Sequence, residues 1–79
     1  MKVEIITPKG IELSQESSQI ILPTKAGEIT VLPHHVPLIS VLKAGTMKIT
    51  TATGEVEKEI EGGILEVGKD YAVILLKKF

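Results

Sequence analysis

A chain of 79 residues forms one domain at most, and without cysteine it has neither a disulfide framework nor a thiolate metal cage. Every basic residue is a lysine, Tyr71 and Phe79 are the only aromatics, and the net charge is −1. The chain thus lacks the guanidinium forks and stacking platforms of a nucleic-acid binder. The 43% apolar share comes almost wholly from Ile, Val and Leu, a bias toward strands.

Taken in order, the segments alternate with period two. Val3 and Ile5 alternate with Lys2 and Glu4, Pro8-Lys9-Gly10 turns, and Ile11 and Leu13 resume the pattern. Ser18 to Pro23 reads as a short apolar strand closed by the loop Thr24-Lys25-Ala26-Gly27. Ile29 to Leu32 and Leu38 to Leu42 flank a segment with two prolines and two histidines. Lys43-Ala44-Gly45 reads as a turn before Met47 and Ile49, and Thr53-Gly54 as another. Glu55 to Glu61 carries the charges of a solvated strand face or a protected edge. Gly62-Gly63 precedes Ile64 to Val67, Gly68-Lys69-Asp70 turns, and Tyr71 to Leu76 ends the pattern. No window holds a 3.6-residue period free of Gly, Pro or Thr, so no helix is expected. The expected class is all-β: a flattened sandwich or barrel of short strands in two sheets, with residues 1–79 as a single domain.

Catalytic chemistry finds little support. The serines lack a strand-to-helix elbow, and the absence of cysteine closes the Cys–His option. The glycines make neither a P-loop nor a dinucleotide fingerprint, so no nucleotide site is expected. Adjacent residues in extended backbone point to opposite faces, so His34 and His35 cannot readily chelate one ion, and no metal or other cofactor is assigned. The opening MKVEIITPKG has no apolar core of a signal peptide. No apolar run approaches the ~20 residues of a spanning helix, so direct membrane insertion is not expected. Thr46-Met47-Lys48-Ile49 resembles the Met-Lys-Met of biotinyl carrier domains, which makes a carrier modified at Lys48 the alternative function. The turn signals, however, put Lys48 inside a strand and not at a hairpin tip.

Pro33 and Pro37 donate no backbone hydrogen bond and so lie outside a sheet interior. They read as a stiff crossover between strands that carries both histidines at the surface. Gly27 allows a tight turn beside the exposed Glu28. Such a rim suits docking better than chemistry.

Together these motifs resemble the N-terminal domain of the epsilon subunit of F-type ATP synthases. Val3-Glu4-Ile5-Ile6-Thr7-Pro8 with Gly10, Ile21-Leu22-Pro23-Thr24 with Gly27-Glu28-Ile29, Val31-Leu32-Pro33 with His35-Val36-Pro37-Leu38, Leu42-Lys43 with Gly45, and Gly62-Gly63-Ile64-Leu65-Glu66-Val67 match its ordered motifs. The resemblance implies a sandwich of about ten strands and a non-catalytic rotor subunit of the central stalk. Such a subunit joins the gamma subunit to the membrane c-ring at the cytoplasmic face of the membrane, as a peripheral part of the complex. By position it implies Gly27 and Glu28 as c-ring contacts and His35 as a gamma-subunit contact. His34 stands where the family usually has glycine, and Ala44 where it has proline. The chain stops at Phe79, where the family typically continues into a C-terminal helical hairpin.

Overall fold

The computed structural model describes residues 1–79 as seven strands: β1 (Lys2–Thr7), β2 (Gly10–Glu16), β3 (Gln19–Thr24), β4 (Gly27–Val31), β5 (Leu38–Thr51), β6 (Gly54–Val67) and β7 (Tyr71–Leu75). All seven join one hydrogen-bonded sheet in the order β2-β1-β7-β6-β5-β3-β4. Neighbours pair antiparallel except β1 and β7, which run parallel.

This corrects the expectation of about ten short strands in two sheets: there is a single seven-stranded sheet, and it does not close into a barrel. The reason lies in two glycine-bearing stretches. Lys43-Ala44-Gly45 reads as a turn and Gly62-Gly63 separates two segments in the sequence, yet β5 and β6 continue through them with unbroken pairing from Leu38↔Val67 to Thr51↔Gly54. They bend the ribbon without reversing it. A straight strand of 14 residues would span about 46 Å, whereas the longest dimension of the molecule is 25 Å. Across the bend the inward positions change parity, from Leu42 to Met47 and Ile49 in β5, and from Ile60 to Leu65 and Val67 in β6. The β3–β5 ladder breaks at the same place, between Ile21↔Lys48 and Thr24↔Leu42. Gly63 sits here at φ 153°, so close to β7 that an added Cβ would lie 2.2 Å from the Leu75 carbonyl oxygen.

The bent sheet covers its own core. Fourteen buried apolar residues form one cluster drawn from every strand except β2, plus Leu76 just past β7. Val3, Ile5, Ile20, Leu22, Val31, Met47, Ile49, Leu65, Ala72 and Ile74 are fully enclosed. With no helix to cover either face, only the two halves of the sheet packing on each other can bury these side chains.

Three hairpins share one piece of turn chemistry. Thr7-Pro8-Lys9-Gly10, Thr24-Lys25-Ala26-Gly27 and Thr51-Ala52-Thr53-Gly54 each open on a threonine and close on a glycine, and the two are cross-strand partners. In each, the threonine Oγ1 accepts the N–H two residues on, at 3.2, 3.2 and 3.3 Å. The side chain thus stands in for a backbone turn. The closing glycines have φ of 120°, 121° and 137°, a region other residues rarely adopt.

Free strand edges are guarded. Only Ile64–Val67 of β6 pair with β7, so Gly54–Gly63 runs as an outer edge. Its exposed glutamates at 55, 57, 59 and 61 make the charged edge anticipated for this segment.

Candidate docking surfaces

The crossover from β4 to β5, Leu32–Pro37, contains a tight turn. His35 N–H donates to the Leu32 carbonyl at 3.2 Å, so Pro33 and His34 occupy the two corner positions. His34 has φ 66°, the sole non-glycine residue with positive φ. A proline at the first corner and a positive φ at the second define a type II turn, whose second corner favours glycine. His34 therefore holds a position built for glycine. It is tied to the β6–β7 turn by its N–H to the Lys69 carbonyl (2.9 Å) and by Nδ1 3.3 Å from Asp70 Oδ1. That pair is well exposed and contributes little. His34→Gly relieves a left-handed backbone worth about 1 kcal/mol, partly offset by the greater freedom of glycine in the unfolded chain. Urea unfolding is therefore expected to give unchanged or slightly higher stability. A loss above about 1 kcal/mol would show that the Asp70 contact outweighs the strain.

The expectation that both histidines lie at the surface holds for His34, whereas His35 is half-buried. His35 Nδ1 lies 2.7 Å from the Val36 carbonyl oxygen, the contact made by an Nδ1–H tautomer. The two imidazoles thus engage different partners and do not converge.

Gly27 and Glu28 begin the edge strand β4, directly after the second hairpin. Glu28 is exposed and shares a shallow depression with Ile21, Thr46, Lys48 and Glu57. Lys48 lies within β5, three residues before Thr51, opposite Ile21 on one side and Glu57 on the other, with Nζ 3.5 Å from the Glu57 carboxylate. Paired on both sides, it does not occupy the hairpin tip where a carrier lysine sits. Thr46 donates its hydroxyl hydrogen bond to Glu59 on the same face. This side of the molecule is polar and acidic.

The other half of the sheet presents a different outer surface, which no single stretch of sequence announces. Register alone assembles it: Val41 lies opposite Ile64, Ile64 opposite Leu75, Leu75 beside Ile6, and Ile6 opposite Ile11. Five strands thus contribute one apolar row across the sheet. All but Ile6 are exposed, with Ile11 at 62%, and Ile39 at 76% lies one pleat along β5. A contiguous exposed apolar surface of this kind marks an interaction site. Next to it, the Tyr71 hydroxyl donates to Glu66 at 3.1 Å. That bond, then the Glu66 charge and a little burial, raise the phenol above its usual range.

Comparison with known proteins bears on these surfaces. The family described as "ATP synthase, Delta/Epsilon chain, beta-sandwich domain" matches residues 1–79. The chain is 40% identical over 76 residues to the chloroplastic ATP synthase epsilon chain of Cyanidioschyzon merolae, covering 96% of this chain and 58% of that protein. It is 35% identical over 74 residues to the sodium ion specific ATP synthase epsilon chain of Propionigenium modestum, covering 94% and 54%. The chain therefore spans somewhat more than half the length of these relatives. Among solved structures, a chain of the Euglena gracilis mitochondrial ATP synthase, solved as OSCP/F1/c-ring, superposes with TM-score 0.87 at 23% identity, covering 96% of this chain and 49% of that one. A chain of the Tetrahymena thermophila mitochondrial ATP synthase central stalk/c-ring superposes with TM-score 0.81 at 25% identity, covering 96% and 62%.

Proposed function

Because the chain belongs to the ATP synthase delta/epsilon-chain β-sandwich family, we propose that it acts as a non-catalytic element of the central stalk, joining the gamma subunit to the membrane c-ring. The observation that carries this reading is the presence of two outer surfaces of opposite character on one bent sheet. The apolar row Ile11, Ile6, Leu75, Ile64, Val41 offers a dry surface to one partner, and the acidic half offers Glu28 to another. A body that must link two proteins needs two such surfaces.

In this reading the apolar row and His35 face the gamma subunit. His35 lies in the crossover, four residues before Ile39. Gly27 and Glu28 face the polar loops of the c-ring. No helix is long and apolar enough to cross a membrane, which fits a peripheral subunit at the cytoplasmic face. Ion-driven rotation is coupled to ATP synthesis through these contacts, with the chemistry carried out by other subunits.

Co-purification with a gamma subunit from the same source tests the reading: a stable complex is expected, and failure to form one under conditions where both are folded overturns it. For the c-ring side, Glu28→Lys is expected to weaken c-ring binding at least tenfold, the scale on which misplaced interfacial charge acts. Glu28 is exposed on an edge strand, so the thermal midpoint of the free chain should stay within about 4 °C, as for surface substitutions generally. Retention of full c-ring affinity would remove Glu28 from the interface.

A further inference from the structure

We propose that Thr24 is a positioning residue for Glu28: its buried hydroxyl holds the peptide plane from which the Glu28 backbone departs. The proposal rests on the reading of Glu28 as a partner contact.

Thr24 is 1% exposed, one of few buried polar residues. Its Oγ1 accepts the Ala26 N–H at 3.2 Å and donates to the Gly27 carbonyl at 2.5 Å. The Gly27 carbonyl and the Glu28 N–H belong to one planar amide. Fixing that oxygen therefore fixes the orientation of the amide entering Glu28. On the other side of this plane, Gly27 stands at φ 121°, where a glycine is needed to let the chain leave the turn. The threonine and the glycine together leave Glu28 little choice of direction, and β4 pairing at Pro23↔Glu28 continues from there.

The molecule contains its own control. Thr51-Ala52-Thr53-Gly54-Glu55 repeats the pattern of Thr24-Lys25-Ala26-Gly27-Glu28. Thr51 Oγ1 accepts the Thr53 N–H at 3.3 Å and donates to the Gly54 carbonyl at 2.8 Å. The two hairpins lie at opposite ends of the β3–β5 ladder, since Thr24 pairs with Leu42 and Gln19 with Thr50. A threonine that only stabilises its turn should behave alike in both places. A threonine that positions a contact should matter for binding in one.

The test measures equilibrium binding of the chain to detergent-solubilised c-ring, alongside urea unfolding, for Thr24→Val, Thr24→Ser, Thr51→Val, Glu28→Gln and the double variant Thr24→Val/Glu28→Gln. Thr24→Val is expected to weaken binding about fivefold, the change in equilibrium that one lost hydrogen bond corresponds to. Thr24→Ser, which keeps the hydroxyl, should bind within about twofold of the parent on the same scale. Thr51→Val should keep full affinity and lose no more stability than Thr24→Val, its hydroxyl bonds being the more exposed. The double variant should bind no more weakly than Glu28→Gln alone, because the hydroxyl acts only through the carboxylate. Equal loss of affinity in Thr51→Val, or additive effects in the double variant, would overturn the positioning role while leaving Glu28 as a contact. Unchanged affinity in Glu28→Gln would overturn both. Should Thr24→Val not fold, Thr24→Ala is read by the same criteria.

Discussion

Gly63→Ala is expected to unfold the domain or to destabilise it by about 4 kcal/mol or more, at the extreme of single substitutions. The added methyl would lie 2.2 Å from the Leu75 carbonyl oxygen and 2.9 Å from Leu76 Cδ2. The first of these is backbone held in the β6–β7 ladder by Ile64↔Leu75, so it cannot swing aside. The backbone at φ 153° adds strain of its own. A domain of this size commands only about 4–12 kcal/mol in total, so the substitution consumes much or all of it. Gly54→Ala is the matched comparison: its methyl meets nothing within 4 Å, and only the cost of φ 137° remains. It should lose about 1–3 kcal/mol. Equilibrium urea unfolding by far-ultraviolet circular dichroism separates the two. Similar midpoints for both variants would refute the close approach of β6 and β7 at the bend.

Ile64→Lys should leave the isolated domain nearly as stable as the parent and reduce co-purification with the gamma subunit by more than tenfold. Ile64 is an inner member of the apolar row, flanked by Val41 and Leu75, and its side chain is 46% exposed. On the free protein a lysine there keeps its ammonium in water, at a cost within about 0.5 kcal/mol. In a dry contact it would bury an unpaired charge between Val41 and Leu75, which costs far more than the lost apolar area. Analytical size exclusion with equimolar gamma subunit reads the difference, with unfolding measured in parallel. A lysine variant that still forms the complex would move the gamma-subunit surface away from this row. Glu57→Lys, on the acidic half, provides the comparison and should leave that complex intact.

Much of the strand pattern was legible because hairpin chemistry is local. A threonine, two turn residues and a glycine between alternating segments mark the reversals at residues 7–10, 24–27 and 51–54 without help from the rest of the chain. The bend was not legible for a related reason. Glycine at positions 45, 62 and 63 signals unusual backbone but does not say whether the chain reverses or only deflects. That choice is made by the partner strand, and β5 and β6 bend together because they are paired through the bend. Glu28 was readable as an exposed acid beside a turn. The apolar row was not, since Ile6, Ile11, Val41, Ile64 and Leu75 come from five separate strands, and only register reveals that they share the outer face. His34 read in the sequence as a surface residue of a docking rim, standing where the resembled family usually has glycine. Its backbone angle shows a glycine position occupied by a side chain, and the proline before it was the available signal.

β1 and β7 lie side by side near the middle of the sheet, with Val3 matched to Ala72 and Ile5 to Ile74. During synthesis from the N-terminus, the β1–β2 hairpin can form early, yet one side of β1 stays open until β7 has left the ribosome. Val3 and Ile5, fully enclosed in the finished molecule, have to wait with it. Parallel closure over so long a loop is slow compared with hairpin formation. The nascent chain therefore carries an unfinished, apolar strand for most of its translation. This interval, more than any weakness of the folded state, is when the protein is most exposed to aggregation or to capture by a chaperone.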